Sequence, residues 1–139
     1  MPESLRPFKI DRIDHILLIV RGMPEALGFY EGVLGCAVES RLPAYGMVEL
    51  RAGASHLDLV DVAAPEGAWA KPAIAGGRNI DHVALRLEDG DAKALRNHLA
   101  AHGVPIVEER IDNDGGVSFY VRDPSDNTIE LIASSARGL

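Results

Sequence analysis

The chain has little of what marks several large classes of protein. Only one of its 139 residues is a cysteine, Cys36, so no disulfide can form within the chain. No stretch approaches the roughly 20 apolar residues that a membrane helix needs. Basic residues are in the minority, with 14 Lys and Arg against 21 Asp and Glu, which gives a net charge of -7. Because an acidic surface repels phosphate backbones, we expect neither nucleic acid nor a membrane as a partner.

The remaining composition is typical of a globular domain. Apolar residues make up 47% of the chain and charged residues 25%, and the length suits one compact domain or two small halves that share a core. The first nine residues are polar, carry two prolines and lack the apolar region of a secretory signal. We therefore expect a cytoplasmic protein with a small-molecule substrate, in which Cys36 is a buried, inert thiol.

An internal repeat organises the chain. The segment Ile-Asp-His-Ile-Leu-Leu-Ile-Val at 13–20 resembles Ile-Asp-His-Val-Ala-Leu-Arg-Leu at 80–87. A helical pattern follows each segment, and three extended segments follow each helix. The repeat predicts an α+β fold of two β-α-β-β-β modules, at 10–62 and 79–135. Together they form one functional unit, and residues 63–78, rich in Ala, Pro and Gly, are predicted to link them.

The helices and the strands after them are predicted from apolar spacing and turn residues. Asp89 or Asp91 is expected to cap the second helix, and Gly103 to end it. The predicted helices cover 23–34 and 92–102. The predicted later strands cover 37–40, 47–50, 56–62, 105–108, 117–121 and 128–132.

Two histidines occupy equivalent places in this repeat. His15 and His82 each open a strand, and each follows an aspartate. A single histidine on a strand is more often structural, paired with its neighbouring aspartate or with the backbone. Two histidines at equivalent positions favour a shared function instead.

Two carboxylates also match between the halves. Asp58 and Glu130 lie in the last strand of each half, and large apolar residues flank each of them. Either one alone is compatible with an ordinary amphipathic strand. If a pseudo-twofold axis relates the halves, however, both carboxylates and both histidines can converge. A divalent cation would then offset the repulsion between the carboxylates, and this mixed nitrogen and oxygen set suits Zn, Ni, Co, Mn or Fe(II).

Several motifs resemble the vicinal oxygen chelate superfamily, which includes glyoxalase I, fosfomycin-resistance proteins, extradiol dioxygenases and metal-free bleomycin-binding proteins. The most specific of them is the run Arg-Asp-Pro-Ser-Asp-Asn-Thr-Ile-Glu-Leu at 122–131. The others are Ile-Asp-His at 13–15 and 80–82, Phe-Tyr at 29–30, Leu-Gly at 34–35 and His-Gly at 102–103. The resemblance covers about residues 10 to 135. It implies two modules whose sheets curl around a metal-containing cleft.

The resemblance also implies a set of metal ligands. The family's ligands correspond here to His15, His82 and Glu130, with a fourth on the last strand of the first half. That position is usually glutamate and is Asp58 here, one methylene shorter. His56, two residues away on the same strand face, is the first substitute, and Glu49 on the preceding strand is the second. By resemblance we further expect a homodimer whose site is shared between chains.

Several reactions fit such a site. The first is that of a glyoxalase I-like isomerase or lyase that stabilises a metal-bound enediolate, with Glu130 as ligand and possible base and Asp58 as its partner. The alternatives are an extradiol-type dioxygenase, a fosfomycin-type thiol transferase, and a metal-free, resistance-type protein that binds a small molecule. The sequence does not choose the metal or the substrate.

Overall fold

The computed structural model describes residues 11–70, 80, 82–88, 91–111 and 115–133, which form two sets of elements in the same order. The first set is β1 (His15–Val20), α1 (Met23–Leu27), β2 (Ala37–Leu42), β3 (Met47–Ala52) and β4 (Ser55–Asp61). The second set is β5 (Val83–Arg86), α2 (Ala92–Ala101), β6 (Glu108–Ile111), β7 (Val117–Arg122) and β8 (Thr128–Ala133). Short 3-10 turns occupy Pro43–Tyr45 and Pro65–Gly67.

Each set forms one four-stranded sheet, and the two sheets have the same topology. The strand orders are β1-β4-β3-β2 and β5-β8-β7-β6. In both sheets the first strand pairs parallel with the last, and the other neighbours are antiparallel. The predicted α+β architecture of two β-α-β-β-β modules is confirmed.

One core joins the two modules on the helix side of the sheets. Alternation along β1 places Leu18 and Val20 in this core and leaves His15 on the opposite face. The phenol of Tyr30, after α1, is fully buried and donates a hydrogen bond of 2.8 Å to Asp123, which follows β7. The Asn127 side-chain amide donates to the carbonyl of Ile19 at 2.9 Å. The histidine-bearing faces of the sheets are therefore the faces that this core leaves uncovered.

The first helix differs from its predicted form. The α-helical hydrogen bonds stop at Leu27, and the wider turns of a π-helix continue over Gly28–Val33. Phe29 and Tyr30 are consecutive, yet both are buried there, with their rings edge to face at 5.0 Å. Both are therefore core residues, although a regular 3.6-residue period does not describe this segment.

Two strands of the second half, β5 and β6, begin later than predicted. β5 begins at Val83, so His82 directly precedes the strand, and Asp81 lies outside the described residues. β6 begins at Glu108 and not at residue 105, where proline has no N–H to donate to the sheet. The predicted linker is described only as far as residue 70.

Other local predictions are confirmed. The Asp91 carboxylate accepts a hydrogen bond from the N–H of Ala94 and so caps α2, and Gly103 follows the helix with a φ of 68°. Cys36 is buried, and burial raises the pKa of its thiol. No helix among the described residues is long and apolar enough to cross a membrane.

Candidate metal centre

The first half-site lies where β1 and β4 run side by side. The Nε2 atom of His15 faces the Asp58 carboxylate at 3.7 Å. Asp58 is 3% exposed, and burial raises the pKa of its carboxyl against the lowering effect of His15. Burial deprives a carboxylate of the stabilisation that water gives to its charge. A cation beside the carboxylate and the imidazole nitrogen restores that stabilisation, so this pair of groups favours a bound cation.

Asp14 fixes the orientation of His15. Its carboxylate lies 2.8 Å from Nδ1 of His15, on the opposite side of the ring from Asp58. This hydrogen bond raises the pKa of His15 and lowers that of Asp14. With Nδ1 carrying the proton, the lone pair of Nε2 points to Asp58, as in the carboxylate–histidine arrangement that supports many metal ligands. The hydrogen bond between His15 and Asp14 is therefore compatible with a role of His15 as a metal ligand.

The second half-site lies where β5 and β8 run side by side. Nε2 of His82 lies 3.1 Å from Oε1 of Glu130, whose side chain is 10% exposed. As in the first half, the same imidazole nitrogen faces the carboxylate.

Strand register shows that the two half-sites are equivalent. Leu17, two residues after His15, pairs with Asp58, and Ala84, two residues after His82, pairs with Glu130. Histidine and carboxylate therefore share a face in each sheet, at the same place relative to the parallel strand pair. The repeat extends from the sequence motifs to the positions of the functional groups.

The spacing within each pair fits two ligands of one ion. A ligand nitrogen and oxygen at about 2.1 Å from an ion, with an angle of 90–110° between them, lie about 3.0–3.4 Å apart. The His82–Glu130 distance of 3.1 Å falls within this range, and the His15–Asp58 distance of 3.7 Å exceeds it slightly. A small side-chain rotation closes that difference. Imidazole nitrogen and carboxylate oxygen also match the donors expected for Zn, Ni, Co, Mn or Fe(II).

The other candidates of the first half lie beside the pair on the same face. Nδ1 of His56 is 2.9 Å from Glu39, whose carboxylate also binds Arg51. Glu49 is the register partner of Asp58 and accepts a hydrogen bond from the hydroxyl of Ser40. Because His56 and Glu49 have other partners, Asp58 remains the ligand we expect beside His15.

The two half-sites do not merge within one chain. Among the residues that the structure describes, no three His, Cys, Asp or Glu side chains are grouped closely enough to hold a metal ion. Two donors from one half-site leave most of an ion's coordination positions open. His98, on α2, lies in neither half-site, and its Nε2 contacts the carbonyl of Val33 at 2.8 Å.

Tyr120 is a member of the second half-site that the sequence motifs do not indicate. It pairs with Glu130 across β7 and β8, and its ring meets that of His82 edge to face at 5.6 Å. Desolvation and Glu130 raise the pKa of its hydroxyl. From the sequence, one can predict only that Tyr120 lies on the opposite face of its strand from buried Phe119. The register of β7 on β8 is needed to show that Tyr120 pairs with Glu130.

Comparison with known proteins agrees with this architecture. A family model described as the glyoxalase/bleomycin resistance protein/dioxygenase superfamily matches residues 12–131. The chain belongs to this superfamily. It is 28% identical over 131 residues to the glyoxalase domain-containing protein RDO1 of Mycosarcoma maydis, an alignment that covers 91% of this chain and 70% of the relative.

Solved structures of other superfamily members share the fold. Lactoylglutathione lyase from Agrobacterium tumefaciens superposes with a TM-score of 0.66 at 21% identity, over 92% of this chain and 96% of that one. The fosfomycin resistance protein FosX from Mesorhizobium loti gives 0.66 at 17% identity, over 93% and 97%. At these identities the likeness shows the fold alone. The superfamily resemblance inferred from the motifs is confirmed.

Proposed function

We propose that this superfamily member is a divalent-metal-dependent isomerase or lyase of the glyoxalase I type. Its metal would be held by His15 and Asp58 of one chain together with His82 and Glu130 of the partner subunit. The observation that carries the proposal is the pair of register-equivalent half-sites, each with Nε2 of a histidine facing a buried carboxylate. Members of the superfamily typically use divalent metals, which is compatible with this donor set.

The separation of the half-sites supports a site shared between chains. Each half-site supplies two donors, and the described part of one chain does not bring four together. In a twofold-symmetric dimer the same contact occurs twice, so each first half-site can meet the second half-site of the other chain. The homodimer would then carry two equivalent centres.

The side chains of the half-sites suit proton transfer next to a carbonyl. The metal, when bound, supplies a Lewis acid that stabilises negative charge developing on a substrate oxygen. Asp58 and Glu130 are the two carboxylates that can take a proton from one carbon and return it to its neighbour, so the substrate and the product are isomers. Asp14, which lies beside Nδ1 of His15, favours the tautomer in which Nε2 is unprotonated. Leu17 shares the face of His15 and supplies an apolar wall beside the site.

The fourth donor favours this reaction over ring cleavage. A dioxygenase of the 2-His-1-carboxylate type keeps open positions for substrate and dioxygen. In the proposed shared site Asp58, beside His15, would complete a set of two histidines and two carboxylates. The substrate class we expect is the hemithioacetal formed from an α-ketoaldehyde and a thiol.

Complementation between variant chains tests both the ligands and the sharing. His15→Ala and Glu130→Ala should each lose stoichiometric metal and isomerase activity, while their circular dichroism is unchanged. A co-expressed heterodimer of the two variants has one centre with both substitutions and one with all four ligands intact. It should therefore regain metal and activity at one centre per dimer.

Matched substitutions outside the half-sites serve as controls. His98→Ala and Glu109→Ala remove an exposed histidine and an exposed carboxylate, and both should retain full metal content. If the heterodimer stays inactive although each single variant loses metal, the sharing between chains is wrong. If Glu130→Ala keeps full metal occupancy, the ligand assignment is wrong. Oxygen uptake with catechols, in the absence of isomerase activity, would replace the proposed reaction with ring cleavage.

A further inference from the structure

A third strand extends the second half-site beyond its two proposed ligands. Arg110, on β6, donates a hydrogen bond from its guanidinium to the hydroxyl of Tyr120, on β7. The same guanidinium lies over the Tyr120 ring, 5.3 Å from its centroid. Tyr120 in turn is the register partner of Glu130 on β8, and desolvation and the Glu130 carboxylate raise the pKa of the Tyr120 hydroxyl. Three neighbouring strands thus carry one continuous chain of polar groups that ends at Glu130.

The chemistry of these groups fixes which of them donates and which accepts in each contact of the series. A guanidinium has only donors, so the Tyr120 oxygen must be the acceptor in its contact with Arg110. The hydroxyl proton of Tyr120 is then free to point at Glu130, which as a carboxylate has only acceptors. Hydrogen bonds in such a series polarise one another, so a donor behind Tyr120 strengthens its bond to Glu130.

We propose that Arg110 and Tyr120 are a positioning pair that holds the Glu130 carboxylate in its metal-binding orientation, with Arg110 acting through Tyr120. This inference rests on the proposed function only in taking Glu130 as a metal ligand. Tyr120 lies beside both members of the half-site, because its ring packs edge to face on His82 and its strand position pairs with Glu130. Fixing both ligands before binding reduces the conformational entropy lost when a metal binds.

Among the residues that the structure describes, the first half-site has no equivalent of this positioning pair. The residue that pairs with Asp58, as Tyr120 pairs with Glu130, is Glu49. A carboxylate at that place cannot donate a hydrogen bond to Asp58, and its charge raises the pKa of the Asp58 carboxyl. The two halves therefore differ in kind at this register position.

Metal affinity, measured without turnover, tests the positioning pair. Co²⁺ is titrated into the metal-free full-length protein and followed by its visible absorption spectrum. Tyr120→Phe keeps the ring on His82 and removes only the hydroxyl, so the Co²⁺ affinity should fall roughly 10- to 100-fold. Arg110→Gln should lower it less. The double variant should match Tyr120→Phe alone, because Arg110 has no separate route to Glu130.

Controls and contrary outcomes separate this inference from the proposed function. Tyr45→Phe and Arg96→Gln remove an exposed hydroxyl and an exposed guanidinium away from Glu130, and they should keep wild-type affinity. Arg110→Lys retains a donor and should recover part of the affinity. If the wild type binds Co²⁺ and Tyr120→Phe binds it equally well, the positioning pair is wrong while the metal site stands. Additive losses in the double variant would refute a route through Tyr120. If the wild type binds no Co²⁺, both proposals fail.

Discussion

Replacing the buried phenol of Tyr30 with phenylalanine tests one of the contacts that tie the two modules together. Tyr30 is fully buried in the first module, and its hydroxyl donates to Oδ2 of Asp123 in the second. Asp123 also accepts from the N–H of Ser125 and from both the N–H and the side-chain amide of Asn127. Phenylalanine therefore removes one of four hydrogen bonds to a buried carboxylate and leaves the packing of the ring unchanged.

The expected cost is that of one hydrogen bond to a charged group. Such bonds contribute about 1.5–3 kcal/mol each, and because three donors still satisfy Asp123, we expect a loss of about 2 kcal/mol in the free energy of unfolding. Urea denaturation measures this loss as a lower midpoint with an unchanged m-value. Tyr45→Phe, at a residue that is 58% exposed, is the control and should change the free energy by less than about 0.5 kcal/mol.

Alkaline pH gives an independent readout of the same contact. Burial and Asp123 raise the pKa of Tyr30 far above its usual range. The unfolded state ionises near pH 10 while the folded state keeps its proton, so this contribution is complete below pH 10 and is lost as the pH rises above it. Tyr30→Phe should lack this part of the alkaline decline. A loss below about 0.5 kcal/mol at neutral pH would show that the hydroxyl does not stabilise Asp123.

Two further predictions concern the first half of the chain. In the metal-free protein, Asp14→Asn should lower the pKa of His15 measured by NMR titration, because the hydrogen bond that His15 donates to Asp14 is the main cause of its raised value. An unchanged pKa would contradict that pairing. Gly67→Ala should destabilise the fold by about 3 kcal/mol in urea, because a Cβ there would lie 1.9 Å from the carbonyl oxygen of Asp61. Gly28→Ala, with helical backbone angles and open space around it, is the matched control and should not destabilise the protein.

The sequence predicts the architecture well because the repeat is recorded in local patterns. The Ile-Asp-His segments and the helical spacing after them depend on neighbouring residues, so they can be recognised without the fold. Asp91 and Gly103 are also local signals, since a cap needs only the residues of its own helix end. The π-helical turns at Gly28–Val33 are not predictable in this way, because the same apolar residues also fit an α-helical period.

The half-sites are only partly visible in the sequence for a related reason. His15, Asp58, His82 and Glu130 stand out because each has a counterpart at the same place in the other half. Tyr120 has no such counterpart, since Glu49 occupies its equivalent position. Its importance comes from strand register, a long-range property that motif spacing does not record.

The position shared by Tyr120 and Glu49 also suggests how a duplicated fold separates the roles of its halves. In our proposal Tyr120, beside Glu130, holds that carboxylate in place as a ligand, whereas Glu49, a second carboxylate beside Asp58, makes a negative charge there less favourable. The backbone of the two modules can remain alike while one residue per half sets this difference. The departures from the repeat, and not the repeat itself, are therefore the positions at which we expect the chemistry of the centre to be determined.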